Sequence, residues 1–306
     1  MSSASFIDVS VPGKETSPGI SVRGTGLPEG TGYALDNAAA QAGDRFAALR
    51  HIFDGGTIRH LEERGVASGW DCLEVGGGGG SIAEWLSERV GPSGRVVVTD
   101  INTRFLEALH HPNLEVRQHN IVTDPLPEAA FDLIHARLVL MHLPERDAVL
   151  ARLVTALKPG GWLLDEEFDV LSLHADPDLS RSEALLNTSF AVNRVLAERG
   201  VDLRFGRLLF GRLRALGLAD VGAEARLSML TGQSVGASLV RSNYDQLRDA
   251  MIEGGHITAE QFAQDVKRLD DPDFMTLSPT LWAAWGRRPK SLNQTSVASE
   301  QLLGGG

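Results

Sequence analysis

Five consecutive glycines stand directly behind a strand that carries an acidic residue, in DCLEVGGGGGSIAEWL, residues 71–86. No other stretch limits the fold so tightly. Glycine loses more backbone entropy on ordering than any other residue, so a run of it marks a place where side chains are not tolerated. Ahead of the run, Trp70 to Val75 reads as a short buried strand; behind it, Ile82, Ala83, Trp85 and Leu86 recur at helical spacing. A strand, a glycine turn and a helix N-terminus let backbone N–H groups approach a ligand closely. Glu74, near the carboxyl edge of the strand, repels phosphate and points instead to a cationic or hydroxyl-bearing ligand. A flexible linker is the alternative, and linkers are seldom wedged between a hydrophobic strand and an amphipathic helix.

The register of the glycines separates the ligand classes. A phosphate-binding P-loop ends in Gly-Lys-Ser/Thr, and this run contains no lysine. The dinucleotide pattern Gly-x-Gly-x-x-Gly meets Ser81 when started at Gly76 and Ile82 when started at Gly77. The pattern acidic-x-Gly-x-Gly-x-Gly fits without exception at Glu74, Gly76, Gly78 and Gly80.

Beyond the run, strands and helices alternate: strand 71–75, helix 81–89, strand 95–99, helix 103–109, strand 114–118, strand 131–136, helix 145–157 and strand 162–167. Such alternation builds a parallel α/β sheet, doubly wound and Rossmann-like, with its ligand crevice at the carboxyl ends of the strands. After Phe168 the rhythm breaks. Helix 178–200, helix 205–216, strand 219–229, two helices within 234–270 and a last strand 274–286 follow. The organisation reads as an unstructured segment 1–30, a helical cap 31–64 with two helical patterns, and a core 65–174. A cap insertion 175–204, a second part of the core 205–290 with a helical insertion 234–270, and an unstructured tail 291–306 complete it.

Composition bounds the partners. A formal net charge of −11 argues against nucleic acid or an anionic membrane surface. The single cysteine, Cys72, leaves no internal disulfide and fits a reducing, cytoplasmic compartment. No signal peptide and no membrane-spanning stretch are expected. The histidines show no metal-ligand spacing, so no metal is expected. A homo-oligomer is neither indicated nor excluded.

Three further motifs carry chemistry. Strand RVVVT ends in Asp100, an acidic residue placed to accept hydrogen bonds from ribose hydroxyls. After the third strand, His119-Asn120-Ile121 offers an amide and a backbone N–H to an adenine ring. At the end of FDLIHAR, Arg137 has the fork geometry for a ligand carboxylate.

The set CLEVGGGGGS, VVVTD, HNIVTDPLP, FDLIHARLVLMHL and LKPGGWLL, in that order, resembles the class I S-adenosylmethionine-dependent methyltransferases. The likeness covers roughly residues 65–170 and, more weakly, 205–286. It implies S-adenosyl-L-methionine as cofactor and a seven-stranded sheet whose last strand, here 274–286, runs antiparallel. It further implies that Glu74 and the glycines line the methionine moiety and that Asp100 and Ile101 bind the ribose. His119, Asn120 and Ile121 would then face adenine, and the backbone around Ala136 and Arg137 the amino-acid end. The family usually has aspartate where Asn120 stands. Arg45 is a further candidate for the cofactor carboxylate.

The acceptor side is read from single residues. Glu166 and Glu167, at the end of strand WLLDEE, are candidate bases facing the crevice; Tyr33 is a candidate to fold over the acceptor. Asn187, Phe190 and Asn193 are candidate acceptor contacts. The expected function is methyl transfer to an aromatic or heteroaromatic small molecule, at O, N or carbon, an indole ring carbon included. A non-catalytic cofactor-binding regulator and a nicotinamide-dependent oxidoreductase are the alternatives.

Overall fold

The structure, a computed structural model, describes residues 42–172 and 183–290. The expectations for segments 1–30 and 291–306, and for Tyr33, lie outside them. Seven strands form one sheet: β1 (Asp71–Val75), β2 (Arg95–Asp100), β3 (Leu114–Gln118), β4 (Phe131–Arg137), β5 (Leu157–Asp169), β6 (Ala219–Arg226) and β9 (Thr280–Arg287), in the order β3-β2-β1-β4-β5-β9-β6. β9 runs antiparallel to both its neighbours, and the other pairs are parallel. Val96, Val97 and Val98 are fully buried, as strands covered on both faces require. β7 (Met229–Thr231) and β8 (Met275–Leu277) make a separate two-stranded ribbon.

The helices are α1 (Ala42–Glu63), α2 (Ser81–Val90), α3 (Arg146–Ala156), α4 (Glu183–Glu198), α5 (Phe205–Ala215), α6 (Val235–Glu253) and α7 (Ala259–Lys267). Strand order reverses between β1 and β4, and a ligand crevice belongs at the carboxyl ends of strands beside such a switch point. α1 packs on α6, and α6 on α4.

Several expectations change in physical detail. The two helical patterns before residue 64 are one continuous helix, α1. Gly55 and Gly56 do not break it, because Gly56 makes room for the Arg226 guanidinium, which lies where a Cβ would stand. The expected helix 103–109 is a single 3-10 turn, Thr103–Phe105; the stretch is too short to repay helix nucleation before Pro112. Its Leu106 and Leu109 pack under the glycine loop instead. The LKPGG turn is absorbed into β5, whose register shifts opposite Phe131 and Leu133. The expected last strand divides at Ser278-Pro279, where proline supplies no N–H to a ladder.

α5 lies against β5 through Gly206, whose added Cβ would come 2.3 Å from the Glu167 carbonyl oxygen. Backbone cannot yield as a side-chain tip can. Gly206→Ala is therefore expected to destabilise the fold by about 2 kcal/mol, read as a lower urea midpoint at unchanged slope. An unaltered midpoint contradicts this contact.

Candidate active site

The carboxyl ends of β1 to β4 open into a cavity of about 820 Å³, whose remaining wall comes largely from α1, α4 and α6. Gly76, Gly77, Gly78 and Gly79 line it, and Gly80 follows as the left-handed N-cap of α2. The loop tolerates no side chains. At Gly76, φ is +68° and a Cβ would meet Val139 at 2.4 Å; at Gly78, φ is +53° and a Cβ would meet Phe46 at 2.8 Å. Backbone is thus the only surface this turn can offer a ligand.

Asp100 is 6% exposed and also lines the cavity. Its Oδ2 accepts the Gly78 N–H at 3.0 Å and its Oδ1 the Asn102 N–H at 3.0 Å. Burial raises its pKa, against the pull of these backbone donors. A carboxylate has about four acceptor sites, so both oxygens keep capacity for hydroxyl donors. Ile101, His119, Asn120 and Ile121 lie on the same wall. Asn120 is held in an Asx turn: its Oδ1 accepts the Val122 N–H at 3.0 Å, and its own N–H bonds Asp124 at 2.9 Å.

Glu74 lines the cavity from the strand and is 4% exposed. Behind it lies a charged network that the strand pattern concealed. His135, paired with Glu74 across β1 and β4, donates from Nδ1 to Glu74 Oε2 at 2.6 Å and from Nε2 to Glu166 Oε2 at 3.3 Å. Burial by itself lowers the pKa of this wholly enclosed imidazole, but the carboxylates of Glu74 and Glu166 outweigh it and push it up to about 9. Glu166 is also bonded by the Thr57 hydroxyl and by Arg226 Nη2 at 3.1 Å. Burial opposes its ionisation, yet His135, Arg137 and Thr57 together hold it down at about 2. Arg137 spans to α1, donating to Asp54 at 2.8 Å and Thr57 at 2.8 Å. Three acidic and three basic side chains thus tie β1, β4, β5, β6 and α1 together.

This geometry corrects four expectations. Glu166 does not face an acceptor: it is fully buried, off the cavity lining, and committed to His135, Thr57 and Arg226. Glu167 points to the other face of β5, where its Oε1 accepts the Val139 and Leu140 N–H groups at 3.0 and 2.6 Å. Burial and the neighbouring Asp165 raise its pKa, and its bonds to two backbone N–H groups make it a structural clamp. Arg137 borders the cavity, but its fork is taken by α1. On α4, Asn187 is exposed and Phe190 is 62% exposed, and neither reaches the cavity.

The face of α4 that does reach it carries Ser189, Val192, Asn193 and Leu196, the spacing of one helical stripe. Ala136 is fully buried beneath the surface, so only its neighbours reach a ligand. Arg45 lines the cavity and is 4% exposed, its Nη1 donating to Gln246 of α6 at 3.1 Å.

His135, Asp54, Tyr244 and Asn243 were missed by sequence reasoning. For His135 a signal existed: a histidine amid the apolar strand Phe131 to Ala136 must have a buried partner. Tyr244 bonds Ser189 at 2.6 Å, and burial pushes its hydroxyl up to about 12. Burial, assisted by Arg45 and Arg146, pushes the cavity-lining His142 down to about 3.

Among the described residues no cluster of His, Cys, Asp or Glu is arranged to hold a metal ion, and no helix is long and apolar enough to cross a membrane.

Residues 73–165 match the methyltransferase domain family. The methyltransferase str3 of Strobilurus tenacellus is 32% identical over 144 residues, 47% of this chain and 50% of that protein. The ubiquinone/menaquinone biosynthesis C-methyltransferase of Hahella chejuensis is 34% identical over 116 residues, 35% of this chain and 47% of that protein. The chain therefore spans about half the length of these relatives. In fold it is similar to the phosphoethanolamine N-methyltransferase 2 of Haemonchus contortus solved with S-adenosyl-L-methionine. That likeness has TM-score 0.51 and 17% identity, covering 83% of this chain and 59% of that one.

Sheet order, glycine loop and acidic strand ends define a Rossmann-like methyltransferase core. Residues 73–165 thus form a methyltransferase domain, in a fold shared with a methyltransferase solved with S-adenosyl-L-methionine.

Proposed function

We propose that the chain transfers a methyl group to a small aromatic or heteroaromatic acceptor, held under a cap formed by α1, α4 and α6. The observation that carries this reading is the single continuous cavity, lined at one end by the glycine loop and Asp100 and at the other by apolar side chains of α4 and α6. The cofactor fits the first end. Its cationic groups suit the acidic Glu74, its ribose hydroxyls suit Asp100, and the bare backbone of Gly76 to Gly79 accepts its close approach. Bound there, it supplies an electrophilic methyl group.

The residues of this chain then serve chiefly to position and to exclude water. Holding nucleophile and methyl carbon in line contributes much of such a barrier reduction. Of the side chains lining the cavity, burial leaves two, His142 and Tyr244, respectively too weakly basic and too weakly acidic to exchange protons near neutral pH. This favours a nucleophile that needs no prior deprotonation, such as a neutral nitrogen or an electron-rich ring carbon. The cation so formed then gives up to water the proton that the nitrogen or ring carbon already carried.

A labelled-methyl assay against phenols, indoles and amines tests the reading; transfer to none of them, with cofactor bound, refutes the acceptor class. For the cofactor site, Asp100→Ala should weaken S-adenosylmethionine binding about tenfold or more, through lost charged hydrogen bonds. Calorimetry reads this directly, and unchanged affinity removes Asp100 from the site.

A further inference from the structure

The α6 stripe that lines the cavity runs Gly236, Leu239, Val240, Asn243, Tyr244 and Leu247. These positions follow the spacing of a helix face turned to an apolar interior. Asn243 interrupts that face where the pattern calls for an aliphatic residue. Its Oδ1 is buried and has no hydrogen-bond partner. Its neighbour Tyr244 is satisfied by Ser189. An unsatisfied buried carbonyl is costly, and native structures keep few of them without a functional reason.

The surroundings restrict what can satisfy it. Leu239, Val240 and Leu247 stand one turn either side of Asn243 on the same helix, Val192 and Leu196 of α4 line the same cavity, and no described cavity residue of α4 or α6 is charged. The acidic and basic groups of the cavity lie on the strand ends, on α1 and in the segment from His142 to Glu145, and Arg137 is already paired with Asp54, Glu74 with His135 and Arg45 with Gln246. A charged acceptor would lose its hydration here without gaining a counter-ion. A purely apolar one would leave the carboxamide unmet.

We propose that Asn243 is the polar anchor of the acceptor, and that the acceptor is a neutral, flat, mostly apolar ring system bearing an adjacent N–H and C=O. A primary carboxamide offers one acceptor oxygen and two N–H donors. It therefore meets a lactam-type edge with two antiparallel hydrogen bonds, N–H to Oδ1 and Nδ2–H to C=O. A wall built this way rejects an analogue lacking the edge far more strongly than one lacking a methyl group. The inference rests on the methyl-transfer reading, because it treats this end of the cavity as the acceptor chamber.

The test uses the full chain loaded with S-adenosylhomocysteine, titrated calorimetrically with three bicyclic probes of similar size. 2-Quinolone carries the N–H and C=O pair, naphthalene carries neither, and 2-naphthoate carries a charge. 2-Quinolone is expected to bind at least about tenfold more tightly than either of the others. In Asn243→Leu that preference is expected to vanish, while affinity for S-adenosylhomocysteine stays the same. The melting temperature should hold or rise, since leucine completes the apolar stripe. Equal binding of the probes, no binding of any, or a preference that survives in the variant overturns the assignment. Failure to bind S-adenosylhomocysteine removes the methyl-transfer reading itself, so the two failures are told apart.

Discussion

Replacing His135 by leucine is expected to lower the melting temperature by roughly 10 °C near pH 6.5, the largest stability effect of any single change in the site. The imidazolium stands between Glu74 and Glu166, and all three side chains are nearly or wholly out of water. Removing the central cation leaves two acidic groups facing an apolar gap, a loss of about 3–5 kcal/mol for a broken buried pair. The sign of the pH dependence follows from the direction of the shift. His135 is raised to about 9 in the fold from 6.5. Its contribution is therefore complete below pH 6.5 and disappears as pH rises through 9, amounting to about 3 kcal/mol.

Two neighbours modify that curve. Asp165 is raised to about 8 from 3.8, chiefly by burial, and costs stability in the same direction up to pH 8. Glu166 is lowered to about 2 from 4.5, so its contribution is present above pH 4.5 and is lost only as pH falls through 2. Stability should consequently decline from pH 6.5 to 9 in the parent chain. In His135→Leu the decline above pH 8 should flatten. Thermal melts of both proteins across pH 5–9.5 decide it: parallel curves would show that His135 does not titrate in this window.

Gly76→Val is expected to cut S-adenosylmethionine affinity by about a hundredfold or more, the largest binding effect in the molecule. Two costs combine at this position. A β-branched residue resists the φ of +68°, and its Cβ would stand 2.4 Å from Val139. The loop must move to relieve either, and it then no longer presents Gly77, Gly78 and Gly79 in the present arrangement. Gly76→Ala should fall between the parent and valine variants. Calorimetry with S-adenosylhomocysteine checks both, and circular dichroism verifies that the valine variant is folded. A folded Gly76→Val with parental affinity would show that the ligand does not depend on this turn.

Both effects concern residues that the sequence reveals to different degrees. The glycine register, Glu74 and Asp100 were legible because they obey local rules: strand ends, turns and helix starts depend on neighbours in the chain. The sheet was legible for the same reason, since alternating apolar strands and amphipathic helices admit few arrangements. Glu166 and Glu167 show where such reasoning fails. Adjacent residues on a strand point to opposite faces, and only the packing of α1, β4 and β6 decides what each face meets. Asn187 and Phe190, which miss the cavity that Asn193 reaches, show the same for α4: the helix was legible, its rotation was not. An amphipathic helix buried on two sides leaves its orientation to the partners it packs on.

The chain's own order of residues therefore determined the α/β core and the acidic glycine loop, because each follows from short-range spacing and backbone geometry. Tertiary structure alone decided that His135 bridges two carboxylates, that Arg137 serves α1 instead of a ligand, and that Asn243 enters the cavity unsatisfied. Those outcomes depend on side chains separated by dozens of residues, such as Thr57 and Glu166 or Ser189 and Tyr244, being brought within a hydrogen bond of one another.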